Sequence, residues 1–249
     1  MLSKKIVKYI QSLSHKKLRD EEHCFIAEGP KVVSEILLSG LVNCKMLCAT
    51  EAWLRENENS LRNVADENIL RIDEDSLHKI SLLKTPNKVL AVFEKRLQNL
   101  LPFIDNNVSI MLDEIQDPGN LGTIIRIADW FNIENIICSN NCVDCYNPKV
   151  VQATMGSLTR VNIFYLDLVS FIQKNKNKKI YAATLSGSSV LDHPKINEGI
   201  ILIGNESKGI HEDLLVLATN KITIPRFGHA ESLNAAVATG IILSHLKHF

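Results

Sequence analysis

The fold is decided by the stretch VSIMLDEIQDPGNLGTIIRIADWF, residues 108–131. It opens with an unbroken apolar run, VSIML, which is typical of a strand buried on both faces. A turn with Pro118 and Gly119 follows, and a helix is predicted to start near Asn120, whose side chain can cap it. This order indicates an α/β fold in which ligands bind where the strands end.

The same alternation of strands and helices continues on both sides. Downstream, short apolar runs predict a parallel sheet with helices on both faces. The predicted strands there are ENIIC (134–138), KIYAATL (179–185), GIILIG (199–204) and NKITIP (220–225), and the last helix runs from about Ser232 to Leu246. Upstream, Pro30 is expected to start a helix that Gly40 ends. The upstream strands are CFIAEG (24–29), CKMLCAT (44–50), ENILRI (67–72) and KVLAVFEK (88–95).

The stretch RLQNLLPFIDNN (96–107) separates the two halves. With 249 residues, the chain suits one large or two modest domains. We therefore expect a smaller α/β domain at 1–100, a linker at 101–107 and a larger α/β domain at 108–249.

Charge is balanced, with 28 basic and 28 acidic residues. This excludes a generally basic protein that coats nucleic acid, but it leaves room for a local patch. The opening residues hold such a candidate patch, which is either a solvated helix face or a surface that contacts RNA phosphates. Its members are Lys4, Lys5, Lys16, Lys17 and Arg19.

The N-terminus has no secretory apolar segment, and no run approaches the length of a membrane-spanning helix. We therefore expect a cytoplasmic protein with reduced thiols, outside any membrane. The C-x3-C-x2-C spacing of the iron–sulfur cluster in radical-SAM enzymes occurs at Cys138, Cys142 and Cys145. Too few residues follow them for the barrel that such a site needs, so we expect no metal.

A second turn with chemical meaning lies in ILIGNESKGIHEDL (201–214). Gly204 and Gly209 have the spacing of a phosphate loop, but Ile210 stands where that motif needs lysine. Glu206 lies inside the turn and would repel phosphates. The turn therefore suits a neutral or cationic ligand.

The third turn lies in ITIPRFGHAESLNAAVATGIIL (222–243), where Ser232 or Asn234 opens a helix of small residues. No G-x-G pair occurs anywhere in the chain. The dinucleotide-binding fingerprint is therefore missing, as is the glycine-rich turn of ordinary Rossmann methyltransferases.

Together the three turns resemble the motifs of the SpoU (TrmH-like) family of RNA ribose 2′-O-methyltransferases, within the SPOUT class. These motifs read N-x-G-x-x-x-R, then G-N-E with a later glycine, then I-P followed by S-L-N. The matching residues are Asn120, Gly122, Arg126, Gly204, Asn205, Glu206, Gly209, Ile224, Pro225, Gly228, Ser232, Leu233 and Asn234. NPKVVQATMGSL (147–158) resembles the family's segment between the first two motifs. The departures are Arg226, where an apolar residue is common, and Gln152, where a base is common.

The resemblance covers residues 108–249. The stretch HKKLRDEEHCFIAEGPKVVSEIL (15–37) further resembles the substrate-binding domain often fused in front, which is similar to ribosomal RNA-binding proteins. The resemblance implies a trefoil knot in the second domain, a homodimer with the site near the subunit interface, and S-adenosylmethionine (SAM) held in the knotted loops. The implied cofactor-binding residues are Thr184, Leu185, Ser186, Gly187, Gly204, Asn205, Gly209, Ile224, Pro225 and Leu233.

The implied catalytic residues are Arg126, Asn120, Glu206, Ser232 and Asn234. Arg126 is a poor base, because a guanidinium stays charged at neutral pH. It either stabilises the 2′-oxyanion or holds an RNA phosphate that takes the proton. Asn120 would orient Arg126 or the ribose, and Glu206 would fix Asn120 or Arg126.

The expected function is SAM-dependent methylation of a ribose 2′-hydroxyl, most simply in ribosomal RNA, because the front domain is typical of such members. Two alternatives are a tRNA ribose methyltransferase and a non-catalytic RNA-binding protein that retains the fold. A SPOUT enzyme that methylates a base nitrogen is disfavoured by the Asn/Arg and S-L-N motifs.

Overall fold

The computed structural model describes residues 2–96, 102, 104 and 106–248. Three residues of the predicted linker at 101–107, at positions 101, 103 and 105, therefore lie outside the described residues. Up to residue 96 the elements are α1 (Lys4–Ser12), α2 (Lys16–Glu21), β1 (Cys24–Glu28), α3 (Pro30–Ser39), β2 (Cys44–Ala49), α4 (Glu51–Glu56), β3 (Ile69–Arg71), α5 (Glu74–Ile80) and β4 (Val89–Glu94). From residue 106 they are β5 (Val108–Leu112), α6 (Pro118–Trp130), β6 (Asn135–Ser139), α7 (Pro148–Thr154), β7 (Asn162–Leu166), α8 (Leu168–Lys174), β8 (Ile180–Ser189), β9 (Gly199–Ile203), α9 (Glu212–Leu215), β10 (Asn220–Thr223) and α10 (Ala235–Leu246).

Two compact units divide the described residues. The first unit contains residues 2–96 together with 144–160, and the second contains 106–143 together with 161–248. The segment 144–160, which the sequence groups with the larger domain, therefore packs with the first unit.

A mixed sheet in the order β1-β4-β2-β3 organises the first unit. Strand β4 runs antiparallel to β1 and to β2, whereas β2 and β3 are parallel. The prediction for α3 is confirmed, because it begins at Pro30 and ends at Gly40, whose φ of 62° is left-handed. Apolar side chains of α1, α5 and the strands form a core, including Ile10, Ile80 and Val92.

Arg19 does not belong to the exposed basic patch, so the sequence expectation for this residue is wrong. Only 1% of Arg19 is exposed. Its guanidinium binds Asp144 at 2.6 Å and also donates to the carbonyls of Leu13 and Ser14. Its hydrogen-bonding groups are directed inward, where no RNA phosphate can reach them.

A parallel sheet in the order β10-β8-β9-β5-β6-β7 organises the second unit, and the predicted parallel architecture is confirmed. Its central strands β5 and β9 are fully buried, as their continuous apolar runs predict. The trefoil knot stays a prediction. The three motif turns follow β5, β9 and β10. Because these strands lie close together in the parallel sheet, with only β8 between β9 and β10, the turns lie along one edge of it.

Strand β8 is interrupted beside β10. Lys221 pairs with Ala182, but the next residue of β10, Ile222, pairs with Ser188. Residues 183–187 therefore bulge out of the ladder, and they include the implied cofactor-binding residues at 184–187. A side chain at Gly187 would come within 2.5 Å of the Lys221 carbonyl oxygen, so only glycine allows this approach.

The start of α6 differs from the sequence expectation. The helix begins at Pro118, and its N-cap is Asp117, whose Oδ1 accepts from the backbone N of Asn120 at 2.8 Å. Asn120 is therefore not the cap. Its side chain is free for the interactions described below.

Candidate active site

The side chain of Asn120 joins the second and third motifs. Its Nδ2 donates to Oε1 of Glu206 at 2.6 Å, and its Oδ1 accepts from Nδ2 of Asn234 at 2.7 Å. A carboxylate can only accept, so the Glu206 contact fixes which end of the Asn120 amide is the donor. The structure therefore brings together three of the predicted catalytic residues.

Asn234 has a second task as the N-cap of α10. Its Oδ1 accepts from the backbone N of Ala236 and of Val237, at 3.0 and 3.2 Å. Of the two residues that the sequence offered as helix openers, Asn234 fills the position. Because its oxygen is held by the helix, its amide nitrogen is turned toward Asn120.

Glu206 is carried by a tightly closed loop after β9. The backbones of Asn205 and Gly209 exchange two hydrogen bonds at 2.9 and 3.0 Å. A Cβ at Gly204 would lie 2.4 Å from the Gly209 carbonyl carbon, so the loop closes only around glycine. Gly209 itself has a left-handed φ of 72°. This closure sets where the Glu206 carboxylate can lie.

Asn205 anchors that loop. Its Oδ1 accepts from the backbone N of Ser207 and Lys208, and its Nδ2 donates to the carbonyl of Glu114 at 2.8 Å. All the polar atoms of this side chain are thereby used within the protein. We conclude that the side chain of Asn205 shapes the loop, while its backbone N–H and carbonyl close the loop against Gly209.

Asp113 and His211, which the sequence analysis missed, form a second anchor. Asp113 is buried, and its Oδ2 accepts from the backbone N and lies beside Nδ1 of His211, both at 2.9 Å. The hydrogen bond and the negative charge of Asp113 raise the pKa of His211. An acid directly after an apolar strand was the available signal for Asp113.

Glu114 extends this anchor toward β6. Its carboxylate accepts from Asn141 at 2.7 Å, and this hydrogen bond lowers its pKa. An open groove of about 420 Å³ lies beside it at the ends of β5, β6 and β7. The charged and titratable side chains lining it are Asp113, Glu114, Asp167, His211 and Asp213. Four carboxylates make this groove unsuitable for RNA phosphates.

Asn120, Glu206 and Asn234 form a hydrogen-bonded group, the Asn120 cluster. Arg126 and Ser232 do not join it. Both are exposed, and within the described residues neither makes a hydrogen bond or ion pair. Arg126 lies six residues beyond Asn120 on α6, which is about 9 Å along the axis and on a different face. Its guanidinium therefore faces solvent and is available to an external anion.

The three loops that the resemblance assigns to SAM have the chemistry that this cofactor needs. The loop 184–187 interrupts β8, and the loops 204–209 and 224–233 follow its two neighbours, β9 and β10. Leu185 and Leu233 expose apolar side chains there, at 79% and 48%. The Glu206 carboxylate suits a cationic sulfonium, and the exposed backbone of residues 226–233 suits hydrogen bonding to an adenosine. The residues present therefore fit SAM.

The cysteines after β6 are buried thiols. Cys142 donates to the carbonyl of Leu112, and hydrogen bonding with Cys138 lowers its pKa. In the described part of the chain, no three His, Cys, Asp or Glu side chains are arranged to hold a metal ion. Nor does any helix among these residues have the length and apolar character needed to cross a membrane.

Comparison with known proteins agrees with this geometry. The SpoU rRNA methylase family matches residues 107–244, and an MRM3-like substrate-binding domain matches residues 4–91. The 23S rRNA (guanosine(2553)-2′-O)-methyltransferase RlmP of Bacillus subtilis is 28% identical, over 97% of this chain and 95% of that protein.

Two solved structures are similar along nearly the whole chain. A TrmH-family RNA methyltransferase from Porphyromonas gingivalis has a TM-score of 0.87 and 35% identity, covering 99% of this chain and 98% of that one. An AdoMet-bound rRNA methyltransferase from Sinorhizobium meliloti has a TM-score of 0.84 and 32% identity, covering 98% and 95%.

The parallel sheet and the converging motif turns define a SAM-dependent RNA methyltransferase. The chain belongs to the SpoU rRNA methylase family, because the family match covers more than half of it. The resemblance drawn from the sequence is thereby confirmed, as are the expected enzyme class and methyl donor.

Proposed function

We propose that this protein transfers a methyl group to a ribose 2′-hydroxyl of large-subunit ribosomal RNA. The observation that carries the proposal is the Asn120 side chain, which joins Glu206 to Asn234 and so assembles all three motifs at one point. The similarity to RlmP, which acts on 23S rRNA, supports ribosomal RNA over tRNA as the substrate.

Alignment of the ribose is the main task of the Asn120 cluster. Bound SAM supplies an electrophilic methyl group on a sulfonium. The amides of Asn120 and Asn234 each retain a second N–H, which can donate to a ribose oxygen. Glu206 holds Asn120 through a charged hydrogen bond, so the amide is oriented before the substrate arrives.

Arg126 supplies the fixed positive charge in this proposal. Its guanidinium is exposed and stays protonated at neutral pH. It stabilises the developing 2′-oxyanion, or it binds the neighbouring RNA phosphate that accepts the proton. The hydroxyl of Ser232, which is also exposed, positions the 2′-hydroxyl.

We assign RNA binding to residues 1–100 and catalysis to residues 108–249. Lys4 and Lys5 are exposed at the start of α1. Lys16 and Lys17 are exposed on α2, where they pair with Asp20 and Glu21 within the helix. These pairs are exposed and weak, so RNA phosphates can replace the carboxylates.

The protein acts as a homodimer in this proposal, joined through α6 and α10. Trp130 on α6 is 85% exposed and Val237 on α10 is 50% exposed. The two helices pack together, with Ile127 near Gly240. Helix α10 is apolar on nearly all its faces, a composition typical of a helix covered on every side. A second copy would cover this face and place Arg126 at the subunit interface.

We infer that the enzyme works in the cytoplasm. All six cysteines, at positions 24, 44, 48, 138, 142 and 145, are free and buried. Reduced thiols are typical of that compartment.

Mapping 2′-O-methyl groups in total RNA tests the proposed substrate. A strain lacking the gene is compared with the same strain carrying the wild-type gene or the Asn120→Ala variant. We expect loss of methylation at one ribose of 23S rRNA, restored by the wild-type gene alone. Loss at a tRNA ribose instead, or an unchanged methylation map, would contradict the proposal.

A further inference from the structure

The loop that connects β10 to α10 presents an aromatic ring to solvent. Phe227 is 93% exposed, the largest fraction of any large apolar side chain in the described residues. Residues 226–234 are all exposed. Transfer of an aromatic ring out of water is favourable. A phenylalanine exposed in a catalytic loop can therefore contribute to binding a ligand that covers it.

Arg226 precedes Phe227 in the chain, and its side chain is held in place. Its Nη1 donates to the carbonyl of Ala230 at 3.3 Å, so the guanidinium spans the loop. A hydrogen bond at the edge of a guanidinium leaves both of its flat faces free for stacking. The loop thus offers two planar groups at adjacent positions, one aromatic and one cationic.

The surroundings of the ring leave room for a flat ligand. A side chain added at Gly228, the residue after Phe227, would meet no atom within 4 Å. The space beside the chain at position 228 is therefore open, and the ring itself is 93% exposed.

The loop leads directly into the catalytic cluster. Asn234, its last residue, is bonded to Asn120. Asn234 lies four positions after Ala230, which holds Arg226, and this length of chain spans at most about 14 Å. A ribose held at Asn120 therefore places its neighbouring nucleotides within reach of Arg226 and Phe227.

We propose that Phe227, supported by Arg226, stacks on an unpaired base next to the target nucleotide. Unpaired bases stack on aromatic rings and on arginine planes, and this contact tolerates any base. The positive charge of Arg226 suits the RNA backbone that carries the base. The inference rests on RNA as the substrate, and it assigns to this chain a selectivity for single-stranded RNA.

The test measures binding of a short single-stranded oligoadenylate to the full-length protein, with an RNA duplex of the same length as reference. Phe227→Ala should weaken oligoadenylate binding about five- to 150-fold and leave duplex binding within about twofold. Phe227→Trp should retain the affinity, and its fluorescence should be quenched on binding. Phe227→Leu, which is apolar but not aromatic, should behave like Phe227→Ala.

Val216→Ala removes another exposed apolar side chain, 69% exposed, and serves as the matched control. Wild-type oligoadenylate affinity in Phe227→Ala or Phe227→Leu would overturn the proposal. A parallel loss of SAM affinity would assign the ring to the cofactor site, and a changed molecular mass at constant RNA affinity would assign it to a subunit interface. Either result would also overturn it. Because the readout is binding of a simple oligonucleotide, failure here is distinct from failure of the methylation map.

Discussion

His211 binds Asp113 with both its backbone N and its Nδ1, each 2.9 Å from the same carboxylate oxygen. The residues are 98 positions apart: Asp113 directly follows β5, and His211 follows the loop 204–209. The contact therefore fastens the loop that carries Glu206 to the sheet. Nε2 of His211 also lies 3.9 Å from Glu114, whose other neighbours include Lys208.

The first prediction is that this anchor weakens as the pH rises. Asp113 raises the pKa of His211, so the folded protein holds a proton that the unfolded chain releases above about pH 6.5. The stabilisation is complete below that pH and is lost as the pH rises through the raised pKa. Urea unfolding of the wild type and of His211→Asn should differ most in acid and converge in alkali. His229→Asn, at an exposed loop histidine, is the matched control for the loss of an imidazole. A stability difference between the wild type and His211→Asn that does not change with pH would show that protonated His211 does not stabilise the fold.

The second prediction concerns the polarity of the Asn120–Glu206 contact. Asn120→Asp places two carboxylates at a 2.6 Å contact, so methylation should fall and the free energy of unfolding should drop by about 1.5–3 kcal/mol. Adding Glu206→Gln restores the hydrogen bond in the opposite direction, because the amide at position 206 now donates to the carboxylate at position 120. The double variant should recover most of the stability, with a coupling energy above about 0.5 kcal/mol in the double-mutant cycle. Strictly additive effects would mean that the two side chains do not interact.

Arg126 gives the third prediction. Arg126→Ala should bind SAM normally, unfold at the wild-type temperature and lose a factor of about 10²–10³ in single-turnover methylation. Stability should not change, because the side chain is exposed and makes no hydrogen bond within the described residues. Arg126→Lys should recover little, since an ammonium lacks the planar fork. Lys174→Ala, at an exposed base on α8, is the control. Wild-type turnover in Arg126→Ala would overturn its catalytic assignment.

The fourth prediction separates the exposed lysines from Arg19. Reversing Lys4 and Lys5 to glutamate should lower the salt dependence of RNA affinity by about 0.7–0.9 in log–log slope for each lost phosphate contact. Arg19→Ala should instead cost about 3–5 kcal/mol of stability, because it leaves Asp144 without its buried partner. Reversing Lys174 and Lys176 is the matched control for charge. An unchanged slope in the Lys4/Lys5 variant would remove these lysines from the RNA surface.

The fifth prediction tests the homodimer. Val237→Glu and Trp130→Glu each place a charge on the α6/α10 face, and both variants should sediment as monomers. Val216→Glu makes the same kind of change at an exposed apolar residue outside that face and should leave the mass unchanged. A wild-type protein that is monomeric at all concentrations would refute the proposed dimer.

Local patterns predicted most of the secondary structure, because each strand and helix is encoded by nearby residues. The buried strands β5 and β9 follow from unbroken apolar runs, and α3 follows from Pro30 and Gly40. The start of α6 was misplaced although Asp117 and Pro118 form a common N-cap and first-turn pair.

Contacts between distant residues could not be read from the sequence. Asn120 and Asn234 are 114 positions apart, and only the motif resemblance suggested that they act together. Nothing local distinguishes the buried Arg19 from the exposed lysines around it, since all are basic and close in sequence. Its burial depends on Asp144, which lies 125 positions further along the chain.

The dependence of Arg19 on Asp144 has a consequence for synthesis. The first unit is discontinuous, because it is completed by residues 144–160. Arg160 leaves the ribosome about 3–13 s after Arg96, at ordinary rates of translation. During that interval the nascent chain contains Arg19 without the carboxylate of Asp144, and the strands of the first sheet without α7. A fragment cut at residue 96 would remain in that state permanently, so the front half is not expected to fold on its own.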